Sequence, residues 1–354
     1  MKKILFALLA AAMLIGCQEK NEEKQVKIGV ILPMTGDLAF LGTFMKNSML
    51  LNESVGDVAY LFEDCGGDAK QAVLAANKLI NTDNVAAVIS SLSYLSEAIN
   101  PILASRGIPH FILSFSPRLW EEKNVIQPFV STKQEAEMFI KYIKDNNISS
   151  VAFLRHQEPD ATYGYDHYIK PALDSMNVSI IDIGFNNQTV RDFKNDILKI
   201  KASNAELLII QSLAYNIPNI VAAINAYDLN IPLLGDLNFL DIQDNQTRKL
   251  VENIPFIGID YLLSSNYKLY KDIYFSKYNM DAFALGTFAH DLSILLRKSK
   301  LLQETSKPAI INQINHLDKI NGIINDKIIF DSNGQLIVDY CVMKYSNGEL
   351  AKYE

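Results

Sequence analysis

The sequence is short of the residues on which catalysis and metal binding most often depend. Its 354 residues include only 3 cysteines and 5 histidines. Cys17, Cys65 and Cys341 form no C-x-x-C pair, and no Cys/His cluster has the spacing of a zinc site. The histidines, at 110, 156, 167, 290 and 316, are scattered without ligand spacing. There is no G-x-S-x-G elbow, P-loop, G-x-G-x-x-G fingerprint or H-E-x-x-H pair. Residues 265–268 (SNYK) fit S-x-x-K, a pattern short enough to arise by chance, and His290-Asp291 reads as a structural pair on a helix. No enzyme, no metal and no cofactor is therefore expected. Positive charge is scarce too: 33 Lys and Arg against 40 Asp and Glu leave a net charge of −7. Charge alone gives such a chain no hold on nucleic acid or on an anionic bilayer. Beyond the N-terminus no stretch approaches 18 uninterrupted apolar residues, so no membrane-spanning helix is expected.

What the chain does have begins at residue 1. Residues 1–17 read MKKILFALLAAAMLIGC, a basic start at Lys2 and Lys3 followed by an apolar core over 4–15. A bilayer-spanning helix needs about 20 apolar residues, so this core suits a signal peptide instead. Its ending, LIGC, resembles a lipobox, where cleavage exposes a cysteine whose thiol accepts lipid. The expectation is a lipoprotein signal peptide over 1–16, lipidation at Cys17 and a polar tether over 17–25, giving an exported, membrane-anchored protein. An ordinary signal peptide that happens to end at cysteine is the alternative. Losing Lys2 and Lys3 takes the charge from −7 to −9. The remainder is longer than one core usually holds, which predicts two lobes.

From residue 26, strand and helix patterns alternate. Strands are expected at 26–32, 59–63, 85–90 and 108–113, with helices opening at Gly42 and spanning 69–80 and 94–105. The rhythm resumes with a helix at 133–146, strands at 151–155, 180–185, 206–211 and 232–234, and helices at 191–201 and 217–227. A further long helix is expected at 283–302 and a strand at 336–345, with Asn333-Gly334 and Asn347-Gly348 as tight turns. Alternation of this kind predicts an α/β fold with parallel, doubly wound sheets. Ligands in such folds sit beyond the carboxyl ends of the strands.

Four stretches carry a family resemblance. Residues 28–36, IGVILPMTG, resemble the opening strand and loop of the type I periplasmic binding proteins, in the branch serving branched-chain amino-acid ABC transporters. Residues 68–80, DAKQAVLAANKLI, resemble that family's second helix, 160–164 (DATYG) its D-x-x-Y-G turn, and Gly235-Asp236 its G-x-D/E turn. The resemblance covers much of the mature chain. It implies two doubly wound parallel-sheet lobes joined by hinge crossovers. The expected organisation is an N-terminal lobe begun by 26–129, a C-terminal lobe begun by 130–256, a return to the first lobe over 257–329, and a closing segment over 330–354.

The resemblance also implies a ligand site. Ser93, with Tyr94 beside it, falls where relatives hold a ligand carboxylate after strand 3. After strand 4 the expected hydroxyls are Ser114 and Ser116, although LSFSP departs from the family's S-P-x-A-T-N-P and inserts Phe115. Tyr163 inherits the role of closing over the ligand from the second lobe, and Tyr215 that of a wall residue. Asp236 inherits the contact to a ligand ammonium; the bland alternative is that it merely caps the turn after it. Arg118 is expected in solvent. A disulfide carried by some relatives is ruled out because Leu92 and Ser93 occupy its second region, so Cys65 and Cys341 are expected as buried or free thiols. The implied function is capture of an amino acid or related amine or amide for an ABC transporter permease. A ligand sensor or a non-transport regulator of an envelope enzyme is the rival, helped by Gln18, which permits outer-membrane sorting. That rival predicts a cleft plugged by large side chains, starting with Phe115.

Overall fold

The computed structural model describes residues 25–51, 58–186, 192–298, 306–324 and 327–353. The signal peptide, Cys17 and all but the last residue of the tether lie outside them. Two sheets organise the chain. The first has five parallel strands in the order β2-β1-β3-β4-β5: β1 Val26–Leu32, β2 Val58–Asp64, β3 Ala87–Ser91, β4 His110–Leu113 and β5 Val125–Ile126. The second has seven in the order β12-β11-β10-β9-β8-β6-β7: β6 Ser150–His156, β7 Ser179–Phe185, β8 Leu207–Gln211, β9 Leu233–Gly235, β10 Phe256–Ile259, β11 Tyr340–Ser346 and β12 Glu349–Lys352. Strands β6 to β10 are parallel, and the β11–β12 hairpin joins them antiparallel along β10. The fold is thus the expected α/β pair of wound lobes, with an antiparallel edge on the second.

Local chemistry explains the elements. Strands β3, β4 and β8 are buried along their whole length, as parallel strands covered on both faces must be. The helix Ala69–Asn81 starts where the Asp68 carboxylate accepts the Gln71 amide and buries Ala72, Ala76, Leu79 and Ile80 at helical spacing. The first helix runs Ala39–Met49 and starts three residues before Gly42. Gly42 is there for a different reason: a Cβ on it would stand 2.2 Å from the Pro33 carbonyl oxygen. Asn347 and Gly348, both at positive φ, make the β11–β12 turn as expected. Residues 336–339, expected as strand, belong instead to a crossing between the lobes, and β11 begins at Tyr340.

The lobes are stitched by three passages of the chain: from β5 into the helix Thr132–Asp145, from β10 into the helix Ser265–Tyr278, and from the helix Lys307–Asn315 into β11. Two of these run side by side. The Gln127 amide donates to the Gly334 carbonyl at 2.7 Å, and the Leu336 amide to the Gln127 carbonyl at 3.1 Å. Both described cysteines are buried and unpaired. Among the described residues no helix is long and apolar enough to cross a membrane.

Candidate functional site

The carboxyl ends of β3 and β4 in one lobe face those of β6, β8 and β9 in the other across a cleft of about 250 Å³. The first lobe contributes Leu92 and Ser93 after β3, and Leu113, Ser114 and Phe115 after β4. Leu41 and Met45 from the first helix, with Phe283 and Leu285, add apolar wall. Opposite them stand His156 at the end of β6, Asp160 just beyond it, and Gln211 and Leu213 after β8. Asp236, Asn238 and Asp241 follow β9, while Thr132 and Glu135 come from the start of the helix Thr132–Asp145. A larger hollow of about 770 Å³ lies between the helix Ser265–Tyr278 and the β11–β12 hairpin, away from the strand ends. It is ringed by charged side chains such as Arg248, Lys268 and Glu349.

The cleft is apolar on one wall and acidic on the other. The Glu135 carboxylate accepts the Leu237 amide at 2.8 Å, and burial pushes its pKa up to about 7. Asp236 accepts the Asn238 amide at 3.1 Å and its side-chain nitrogen at 2.7 Å. Burial first, and Glu135 next, hold Asp236 well above the usual carboxylate range. Burial raises Asp160 too, and lifts Asp241 to about 7. His156 is pushed down to about 4 by burial and, less, by Arg155, so it is neutral at pH 7. No lysine or arginine lines the space.

Five residues that line this cleft carry a buried side-chain atom without a hydrogen-bond partner: Ser114 Oγ, Thr132 Oγ1, His156 Nδ1, Gln211 Oε1 and Asp241 Oδ1. Folded proteins satisfy most buried polar atoms. Five such residues around one hollow suit a site that binds a polar ligand.

The structure brings together three of the expected site residues and leaves four elsewhere. Ser93, Ser114 and Asp236 line the cleft. Asp236 also caps the turn Leu237–Asp241, so the capping alternative holds alongside its place in the cleft. Ser93 spends its hydroxyl proton on the Phe115 carbonyl, tying the loop after β3 to the loop after β4. Tyr94 is exposed and donates instead to the Gly67 carbonyl at 2.8 Å. Ser116 is buried outside the cleft lining and donates to Glu97 at 3.4 Å. Tyr215, 59% exposed, also stands apart from it. Tyr163 stacks on His167 at 3.8 Å and meets Trp120 of the first lobe edge-on at 5.7 Å, which makes it a contact between lobes. Arg118 is largely exposed, 3.4 Å from Glu97. Glu135, Asp160, Asp241, His156 and Gln211 were not foreseen. Only Glu135 left a signal: it lies three residues from Thr132 and four from Phe139, on the buried face of its helix.

One buried group has the connectivity of a hydrolytic triad. Ser90 Oγ lies 2.7 Å from His110 Nε2, and His110 Nδ1 lies 3.0 Å from Asn100 Oδ1. All three are sealed beneath the sheet, no more than 2% exposed, and burial drops His110 to about 3. A nucleophile that no substrate can reach does no chemistry, so the network serves as internal glue. His290 and Asp291 are likewise structural: Asp291 is fully buried and accepts the Ile323 and Ile324 amides at 2.8 Å.

Comparison with known proteins places this geometry. A leucine-binding protein from Thermotoga maritima superposes with a TM-score of 0.74 at 21% identity, covering 93% of this chain and 98% of its own. A branched-chain amino-acid transporter substrate-binding protein from Streptococcus pneumoniae, solved with isoleucine, gives 0.72 at 18%, covering 92% and 98%. An ABC-transporter solute-binding protein from Rhodopseudomonas palustris, solved with 3,4-dihydroxybenzoic acid, gives 0.72 at 16%, covering 92% and 95%. These likenesses establish the shared fold. A search of curated protein sequences finds no significant match. Residues 25–349 match the family profile described as periplasmic binding protein, and the chain belongs to that family.

Proposed function

We propose that this chain is an extracytoplasmic lipoprotein that captures a small amino acid or related amine or amide in the cleft and presents it to an ABC transporter permease. The observation that carries the reading is the cleft between two lobes, lined by five residues with an unmet buried atom. Its volume falls just below the ~300–1,000 Å³ of drug-sized sites, which suits a smaller ligand. A ligand touching both lobes only when they are closed favours that state by its differential affinity. Asp236 and Ser93, on opposite lobes, are the contacts through which it would do so, with Ser114 beside Ser93. Tyr163 contributes through the lobe seam, not through the cleft. Lipidation at Cys17 would hold the protein near its permease.

The non-transport regulator reading predicts a cleft plugged by large side chains, starting with Phe115. Phe115 packs edge-on against Phe129 at 5.5 Å and leaves the space open, which favours capture. A thermal-shift screen of residues 18–354 against amino acids, amines, amides, nucleosides and sugars tests the choice. A ligand at 100 times its Kd stabilises the native state by about 2.7 kcal/mol. One responding class, lost in Asp236→Ala, supports capture at this site; a response that survives that change moves the site, and silence throughout refutes the reading.

A further inference from the structure

Resting on the capture reading, we infer that the ligand is an organic cation: a small primary or secondary ammonium carrying an apolar body and no carboxylate. Four acidic side chains, Glu135, Asp160, Asp236 and Asp241, enter the cleft, and no basic one does. Two of the five unmet atoms fit the same pattern, while the Ser114 and Thr132 hydroxyls can donate or accept. Gln211 Oε1 and Asp241 Oδ1 are acceptors waiting for donors, and an ammonium brings two or three N–H groups. A ligand carboxylate would bring only more acceptors.

Two of the groups that could hold a carboxylate are engaged elsewhere, which leaves the Ser114 and Thr132 hydroxyls against four acids. The Ser93 hydroxyl proton is committed to Phe115, and the Asn238 amide nitrogens to Asp236. The helix Ser93–Ser105 does start at the cleft without a side-chain cap. Its partial positive charge, about half a unit, stands against four carboxyl groups. The remaining wall, Leu41, Met45, Leu213 and Phe283, suits a branched or aromatic hydrocarbon.

The inference carries a pH signature. A cation binds the ionised form of Glu135 and Asp241, both lifted to about 7, so its affinity rises as pH goes from 6 to 8 and its binding releases protons in that range. The groups facing these acids are one another, Asp236, Asp160 and neutral His156, with the Tyr340 hydroxyl behind Glu135. Arg155, behind His156, is paired to Asp182 at 2.8 and 2.9 Å.

The test uses matched pairs by isothermal titration of the mature protein: isopentylamine against leucine, and phenethylamine against phenylalanine, with benzoate as an acid control. We expect each amine to bind at least tenfold more tightly than its amino acid. Asp241→Asn, which removes the ionisable carboxyl, should weaken the amine tenfold or more at pH 8 while melting no lower than wild type. Tighter binding of leucine or phenylalanine, or of benzoate, overturns the inference and leaves solute capture standing. Amine affinity that falls between pH 6 and 8, or an Asp241→Asn variant that folds and binds amine normally, also overturns it. No binding by any probe overturns the inference; only silence across the broader thermal-shift panel refutes capture.

Discussion

Trp120 is the only tryptophan in the chain, and it sits on the seam between lobes. Its ring meets Tyr163 edge-on at 5.7 Å and lies stacked near Tyr168 at 6.3 Å, both residues of the second lobe. Its Nε1–H donates to Gln127 at 2.7 Å, beside a crossing between the lobes. Aromatic pairs contribute about 0.5–1.5 kcal/mol each beyond area burial. Two of them give the joined arrangement about 1–3 kcal/mol, which corresponds to about 5- to 150-fold in a coupled binding constant. Trp120→Ala should therefore weaken the best ligand of the screen within that range, although Trp120 does not line the cleft. Trp120→Phe, which keeps an aromatic edge, should lose less. Calorimetry gives the affinity, and small-angle scattering gives the compaction on binding. In wild type, tryptophan emission should change on titration, because this one ring sees the lobes move. Binding within twofold of wild type, with unchanged compaction, would refute the idea that the seam contributes to closure.

Other consequences are simpler to read. The raised pKa of Glu135 means its stabilising contribution is complete below the unfolded value near 4.5 and is lost as pH rises through about 7. Glu135→Gln, whose oxygen still accepts the Leu237 amide, should thus gain melting temperature relative to ligand-free wild type between pH 5 and 8; a pH-independent difference would sink this. Gly42→Ala drives a methyl into the Pro33 carbonyl and should cost about 1–3 kcal/mol in urea denaturation, the usual penalty of overpacking. The thiols of Cys65 and Cys341 are buried, with their pKa values raised, Cys341 to about 11. Both should resist a thiol reagent until denaturant is added, and prompt labelling of either would contradict their burial.

How much of this was legible in the sequence depended on the length and contrast of each pattern. Helices such as Ala69–Asn81 and Thr132–Asp145 show a clear apolar stripe and a cap, and both lie within a residue or two of expectation. The helix Ser265–Tyr278 was missed because its buried residues are Tyr267, Tyr270 and Tyr274, whose hydroxyls mute the contrast between faces. The site split along the same line. Ser93, Ser114 and Asp236 follow strands whose ends are marked by sequence, and a parallel sheet puts those ends together. Tyr163 and Tyr215 sit in short helical turns after β6 and β8, where one residue of rotation redirects a side chain by about 100°. Asp160 and Asp241 lie in turns as well, and only the folded loops reveal that they enter the cleft.

The hairpin at the end of the chain has a consequence for how the molecule is built. The sheet that β6 starts at residue 150 is finished by β11 and β12, at residues 340–352. Until those residues are available, β10 keeps a bare edge, with the backbone groups of Phe256–Ile259 unpaired on the β11 side. The second half of the molecule is thus sealed by its last few residues, across a separation of more than eighty positions in sequence. Contacts that distant slow folding, so the lobe should stay incompletely closed until residues 340–352 have been released. Removing residues 340–354 should undo that lobe, because it takes Met343 and Tyr345 out of its core together with the edge strands.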